Sequence, residues 1–431
     1  MTVGKKNKKN HGVKTKKPSI KVPRRTVGGG SVDVPAHVLH GWKEISGVDD
    51  DRRFARNAEK FRQLWRVFTT GREQISPELL QDPGAAEAYV TGFHLPNAAR
   101  AALFCHRLAQ RLGARDLGEW FGKHFTHQRV FDFGCGSAAW SQVWLSEVRL
   151  KRNTVHLVDA SRALLDIATK GISSLRVNRQ GTSSLYVETL CSGIDELNFA
   201  HFDLRQDPVE SRLDHSLDVY VLGYVWNELN NDSAARARVM QRLESCVSNK
   251  SNALLVLAEP ATDELAWGAM ALRDELCRAG WVAVYPCPWG VVSCPMLAVK
   301  GGARDWCFSE GGWRKPEAYM RLEELSGIAH NKLNSSMYAL ASPRLARRLA
   351  EIAPAVLSHS QVVVGRPSVP GGRDAGFSYL LCTPHGLMKT VPKRIDPKFG
   401  KPRGSTVTSV ARPAAVEGKA VKKQKRKGEP R

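Results

Sequence analysis

One stretch constrains this chain more than any other: RVFDF at 129–133 runs directly into GCGSAAW and then into the helix-like SQVWLSEVRL. An apolar strand, a glycine loop and a helix open a nucleotide-binding βαβ unit, whose glycines let the backbone approach a ligand closely. A second strand follows in TVHLVDASRALLDIA and ends in Asp159, 23 residues after Gly136. A carboxylate at that strand end can accept hydrogen bonds from both hydroxyls of a ribose. The leading acid, Asp132, suits an ammonium group and would repel a pyrophosphate. Position 139 is Ala, so the G-x-G-x-x-G spacing of dinucleotide loops is not met. Asp132, Gly134, Gly136 and Asp159 are therefore candidates for holding an adenosyl ligand that carries an amino acid.

Further apolar strands recur in DVYVLGYVWNEL at 218–229, NALLVLAEP at 252–260 and WVAVYP at 281–286. Helical segments such as SAARARVMQRLESCV alternate with them, which predicts an α/β fold with a doubly wound, mostly parallel sheet. Ligands bind beyond the carboxyl ends of such strands, so Asp132, Asp159, Asp203, Asn227, Glu228 and Glu259 fall on one rim. Asn227 and Glu228 also read as caps of the helix that follows. Ahead of the sheet, FARNAEKFRQLWRVF and AARAALFCHRLAQRL have apolar residues at helical spacing, and Pro77, Pro83 and Pro96 punctuate them. Cys105 sits on one of these apolar faces and reads as a core residue.

The expected organisation is a disordered basic tail over 1–34, a helical domain over 35–122 and a cofactor-binding domain over 123–345, with a cysteine-rich insertion from about 286. A C-terminal β extension over 346–400 and a second disordered basic tail over 401–431 complete it. The formal charge of +22 is concentrated at the ends: residues 1–30 hold ten Lys/Arg and no acid, and 389–431 hold fourteen against three acids. That leaves 31–388 with a single net positive charge. A charge run can be only a solvated tail, but two basic tails around a neutral core point to phosphate backbones as the partner. No apolar run approaches the roughly 20 residues of a membrane helix, so no membrane is expected as partner. Nine cysteines without a secretory signal indicate a reducing compartment. The acid-free N-terminus fits a mitochondrial presequence, whereas its Gly, Asn, Pro and Lys content does not.

Cys287, Cys294 and Cys307 fall within 21 residues in YPCPWGVVSCPML and RDWCFSE, and Cys382 closes a later strand in SYLLCTPHG. Four thiolates can close a tetrahedral zinc site or hold the four irons of a cubane cluster, and spacing alone leaves both open. Proline follows both Cys287 and Cys294, stiffening the backbone beside a ligand. Cys135, Cys191, Cys246 and Cys277 match no ligand motif and read as packing residues. A thiolate nucleophile in a Pro-Cys pair is a rival use of Pro286–Cys287, but that pair follows the sixth strand, not the fourth.

DFGCGSAAW, YVWNELN, LAEPATDE, PCPW…SCPM…DWCFSE and LLCTPHG together resemble the mitochondrial small-ribosomal-subunit methyltransferase-like family, which also has bacterial members, over roughly residues 80–400. The resemblance implies a class I methyltransferase Rossmann-like fold and S-adenosylmethionine binding. It also implies a [4Fe–4S] cluster on Cys287, Cys294, Cys307 and Cys382, with zinc as the alternative metal. The implied role is assembly of the small ribosomal subunit, with that particle or its precursor and rRNA as partners and no small-molecule substrate beyond the methyl donor. A mitochondrial location follows, or the cytoplasm for a bacterial-type member. Two departures stand out: Ala138 occupies the place of a third glycine, and AVKGGAR lengthens the link between Cys294 and Cys307. No NPPY-like tetrad is present, and YVWNELN takes its place, so catalytic residues stay unassigned. An rRNA methyltransferase, a non-catalytic assembly factor and a zinc-stabilised RNA-binding module on a Rossmann scaffold all remain open.

Overall fold

The computed structural model describes residues 31–70, 77–177, 184–191, 215–231, 233–248, 251–299, 306–353, 361–363, 379–383, 386–390 and 406–407. Asp203 lies outside the described residues, as do the N-terminal basic segment 1–30 and nearly all of the C-terminal one.

Alternation along the strands explains the central sheet. Val219 and Val221 enter one apolar core while Tyr220 and Leu222 enter another, and Leu254 and Val256 alternate with Leu255 and Leu257 in the same way. A strand apolar on both faces must be covered on both, as parallel sheets between helices are. The strands are β1 (His127–Phe133), β2 (Arg152–Asp159), β3 (Ser184–Cys191), β4 (Ser216–Gly223), β5 (Ala253–Pro260), β6 (Val282–Tyr285) and β7 (Ser335–Ala341). Their order is β3-β2-β1-β4-β5-β7-β6. The pairs from β3 to β5 are parallel, and β7 runs antiparallel to both neighbours. Arg129 and Asp218 stand opposite each other in the β1–β4 register, and their side chains form a two-pronged ion pair at 2.7 and 3.0 Å. This doubly wound α/β sheet is the class I methyltransferase arrangement that the sequence implies. The sequence reading names neither SLYVETLC, the segment of β3, nor SSMYALA, the segment of β7, which returns from a distance of some fifty residues and separates β5 from β6.

Eleven helices are described: α1 (Ala36–Ser46), α2 (Asp51–Thr70), α3 (Pro83–Tyr89), α4 (Leu95–Leu112), α5 (Leu117–His124), α6 (Ala139–Glu147), α7 (Arg162–Val177), α8 (Ser233–Ser248), α9 (Asp263–Arg278), α10 (Glu317–Ser326) and α11 (Pro343–Ile352). Residues of α8 and α9 cover one face of the sheet. Residues of α1, α2, α4, α6 and α7 share a single core with the other face. The helical segment before the sheet is thus continuous with it, and α4 is buried on nearly every side, Cys105 included. Beyond α11, strands β8 (Gln361–Val363), β9 (Tyr379–Thr383), β10 (Gly386–Thr390) and β11 (Thr406–Val407) form a second sheet in the order β10-β9-β8-β11. Among the described residues no helix is long and apolar enough to cross a membrane.

Between β1 and α6 the backbone turns through three left-handed residues, Gly134, Gly136 and Ala138, with φ of 60, 52 and 54°. Ala138 stands where the family pattern has glycine, and it adopts the conformation that glycine would, at a steric cost of about 1 kcal/mol. At Gly134 a Cβ would also lie 2.4 Å from Val225 Cγ2. Gly134→Ala is therefore expected to lower stability by about 2 kcal/mol in denaturant titration. Gly268→Ala, on the exposed side of α9 with nothing near its Cβ, is expected to raise it by about 0.5 kcal/mol. Equal effects would show that the loop tolerates a side chain.

Candidate cofactor site and cysteine neighbourhood

Asp159, at the end of β2, organises the glycine loop. Its Oδ2 accepts from Gly136 N at 2.7 Å and its Oδ1 from Ser161 N at 2.8 Å. Burial raises its pKa above the ordinary carboxylate value, and these two N–H groups oppose the rise. Asp132 lies beneath the loop, 2% exposed, where its Oδ2 accepts from Ser141 Oγ of α6 at 2.6 Å. Burial lifts its pKa to about 7, against the stabilising Ser141 bond. The structure thus ties one Asp132 oxygen to α6.

The fourth strand leads into Tyr224-Val225-Trp226-Asn227. Tyr224 has φ of 70°, a left-handed conformation unusual for a bulky residue and common where a site stores strain. Its N donates to Ala258 O at 2.7 Å and its hydroxyl to Ser335 Oγ at 2.9 Å, so both strands beyond it hold the turn. Asn227 Nδ2 donates to Tyr224 O at 2.8 Å and to Glu259 Oε2 at 2.6 Å, and Trp226 N donates to Glu259 Oε1 at 3.0 Å. Asn227 therefore locks this turn through its amide nitrogen, and Glu228 opens the short 3₁₀ turn Glu228–Asn231. Asp159, Gly136, Tyr224 and Asn227 share the carboxyl-end rim.

The helical segment supplies a wall that the sequence reading does not foresee. Ser161 Oγ donates to Leu80 O at 2.5 Å, and Gln81 Nε2 donates to Ala160 O at 2.7 Å. His94 Nδ1 lies 2.8 Å from Ser137 Oγ in the glycine loop, and burial lowers the His94 pKa to about 4. Its imidazole is neutral at physiological pH. No spacing rule points from these residues to the loop, because their approach depends on how α3 and α4 pack.

Cys287, Cys294, Cys307 and Cys382 are buried in one apolar cluster on the α9 face, and none of them is in a disulfide. Burial, and then the three other thiols, raise the pKa of Cys382. Strand β9 thus brings a residue 75 positions beyond Cys307 to the loop after β6. Cys277, a packing residue in the sequence reading, interacts with Cys287 and Arg273 in the same neighbourhood. Among the described residues no group of three or more His, Cys, Asp or Glu is arranged to hold a metal ion.

Two buried arginines fasten this loop. Arg273 of α9 donates to Asp274 and to the carbonyls of Val291 and Val292, and both Asp274 oxygens accept from Cys294 N at 2.9 Å. Arg111 of α4 donates to Val284 O at 3.0 Å and to Cys287 O at 3.4 Å. For Arg111 a signal existed in the sequence: with Arg107 it interrupts the apolar face of AARAALFCHRLAQRL one turn apart.

Residues 119–316 match the model of a family described as mitochondrial small ribosomal subunit Rsm22. This is the family that the sequence motifs resemble, and the match takes in the glycine loop, Asp159, the Tyr224 turn and three of the four cysteines, ending before Cys382. No curated protein matches the chain. Among solved structures, the METTL16 methyltransferase domain is 10% identical over 61% of this chain and 81% of its own, with a TM-score of 0.30. A human methyltransferase 10 domain containing protein is 10% identical over 57% and 82%, with a TM-score of 0.29. An rRNA methylase from Streptococcus thermophilus is 11% identical over 55% and 95%, with a TM-score of 0.25.

Burial, opposed by its bond from Asn227, raises Glu259 from an ordinary 4.5 to about 8. A folded-state pKa above the unfolded one means that this group's stability contribution is complete below about pH 4.5 and is lost as pH rises through about 8. Relative to Glu259→Gln, the ligand-free wild type should lose melting temperature between about pH 5 and about pH 8. Parallel melting curves for the two proteins would disprove the shift.

Proposed function

We propose that this chain binds S-adenosylmethionine at the β1, β2 and β4 rim and works in assembly of the small ribosomal subunit, with rRNA or a precursor particle as its partner. The observation that carries the cofactor reading is the Asp159 carboxylate, which ties together the glycine loop and the start of α7 at the strand end where a ribose would sit. Gly134 and Gly136 leave two left-handed loop positions without side chains, Asp132 holds α6 under the loop, and Asn227 shapes the opposite wall. Asp203 completes the proposed set from outside the described residues. The bound cofactor would supply an electrophilic methyl group, and what the protein must add is in-line positioning of an acceptor.

The ribosomal part of the proposal, and a mitochondrial location, draw on the family match and on the basic ends of the chain. rRNA methylation is the first reading. The second, a factor that retains the cofactor fold without catalysis, is favoured by one feature: the Asn227 amide and Glu259 carboxylate are spent on each other, where an acceptor base would be held. Methyl incorporation into small-subunit rRNA from labelled cofactor separates the two.

We further propose that Cys287, Cys294, Cys307 and Cys382 hold a [4Fe–4S] cluster. What supports this reading is the chemistry of the residues, not an arranged site: four buried cysteines share one neighbourhood, and the guanidinium of Arg273, 0% exposed, offers a positive charge to thiolates. Such a group would join β9 to the loop after β6 and thereby add to fold stability.

Calorimetry with S-adenosylhomocysteine tests the cofactor reading. Wild type is expected to bind, and Asp159→Ala to bind at least about tenfold more weakly, as loss of a charged hydrogen-bonding partner predicts. No binding by wild type would refute it. For the cluster, anaerobically purified wild type should contain iron and sulfide and absorb broadly in the visible, and Cys382→Ser should lose both, whereas Cys246→Ser should lose neither. Zinc without sulfide in wild type would replace the cluster by a zinc site.

A further inference from the structure

The sequence candidates on the rim are acids, an amide and glycines: Asp132, Asp159, Asn227, Glu228 and Glu259 beside Gly134 and Gly136. An S-adenosylmethionine molecule presents an ammonium and ribose hydroxyls, which acids can serve. It also presents an α-carboxylate, which they would repel. That carboxylate needs a donor. The loop's own N–H groups are largely committed: Gly136 N to Asp159, Cys135 N to Val158 O and Ala138 N to Cys135 O. Arg100 donates from Nη1 to Asn97 and lies over the Tyr224 ring, with its buried Nε directed to no acceptor among the described residues.

A donor comes from the helical segment. α3 ends at Tyr89, and the chain passes through a π turn, Val90–His94, into α4. A π turn inserts an extra residue into the helical repeat, re-aims the flanking side chains, and is frequent at functional sites. Here Tyr89 precedes that turn and His94 ends it, and both reach the glycine loop. A Cβ on Gly136 would meet the Tyr89 hydroxyl at 3.4 Å, and His94 contacts Ser137. The Tyr89 ring is braced by Phe68 and Phe93, at centroid distances of 5.7 and 5.1 Å, and Phe93 stacks on Trp65. Burial, with Glu228 and Asp159 nearby, keeps the phenol protonated and hence a donor. Asp159, Cys135 and Tyr224 all act electrostatically on this phenol, so the hydroxyl lies near the glycine loop, the end of β2 and the start of the opposite turn.

We propose that the Tyr89 hydroxyl donates a hydrogen bond to the methionyl carboxylate of the bound cofactor, making the helical segment a wall of the cofactor site. This rests on the cofactor reading above. The test uses the full-length chain, wild type and Tyr89→Phe, titrated in a calorimeter with S-adenosylhomocysteine and with 5′-methylthioadenosine, which lacks the amino-acid arm. Tyr89→Phe keeps the ring packing and should melt with the wild type. It should bind S-adenosylhomocysteine about tenfold more weakly, the loss expected for one hydrogen bond to a charged group, and bind 5′-methylthioadenosine unchanged. Unchanged affinity for S-adenosylhomocysteine, or an equal loss for both ligands, overturns the inference while the cofactor reading stands. A wild type that binds neither ligand overturns both.

Discussion

The need to bury both faces of the sheet governs the rest of this molecule. Residues such as Val219 and Tyr220, adjacent in sequence, enter opposite cores, so helices must cover both sides and polar groups are driven to the strand ends. The rim is therefore where Asp159, Tyr224, Asn227 and Glu259 meet. The same demand draws α4 into the core on nearly every side and carries Arg107 and Arg111 inward with it. A buried guanidinium must find acceptors, and these two find them in the chain around Tyr285 and Cys287.

The buried carboxylates on and under the rim each hold a different segment. Asp159 joins the loop to α7, Asp132 joins β1 to α6, and Glu259 fixes the turn after β4. Burial raises all three pKa values, and donated hydrogen bonds restrain each rise. The strain at Ala138 and Tyr224 belongs to the same layer: left-handed backbone persists at non-glycine positions only where the surroundings over-determine it.

On the α9 face the chain solves a different problem. Cys382 is separated from Cys307 by more of the sequence than from its β10 partners, yet it packs with the thiols after β6. The Arg273–Asp274 pair holds the intervening loop by its backbone, donating to the Val291 and Val292 carbonyls and accepting from Cys294 N. The thiol neighbourhood is thus built from α9 inward, and the family match stops short of its last member.

The doubly wound sheet class, most of its strands, the glycine loop and the acid at the end of β2 were legible in the sequence, because each is a local pattern: apolar strands alternating with helices, a turn needing left-handed residues, and a strand end one repeat away. The family resemblance was legible for the same reason, in short motifs. The insertion of β7 between β5 and β6 was not, since antiparallel pairing across some seventy residues leaves no periodic trace in SSMYALA. Nor could local patterns bring Tyr89 and His94 to the glycine loop, turn Asp132 toward Ser141, or spend Asn227 on Glu259. Those contacts join segments whose separation in the chain carries no information about their distance in space, and only packing decides it.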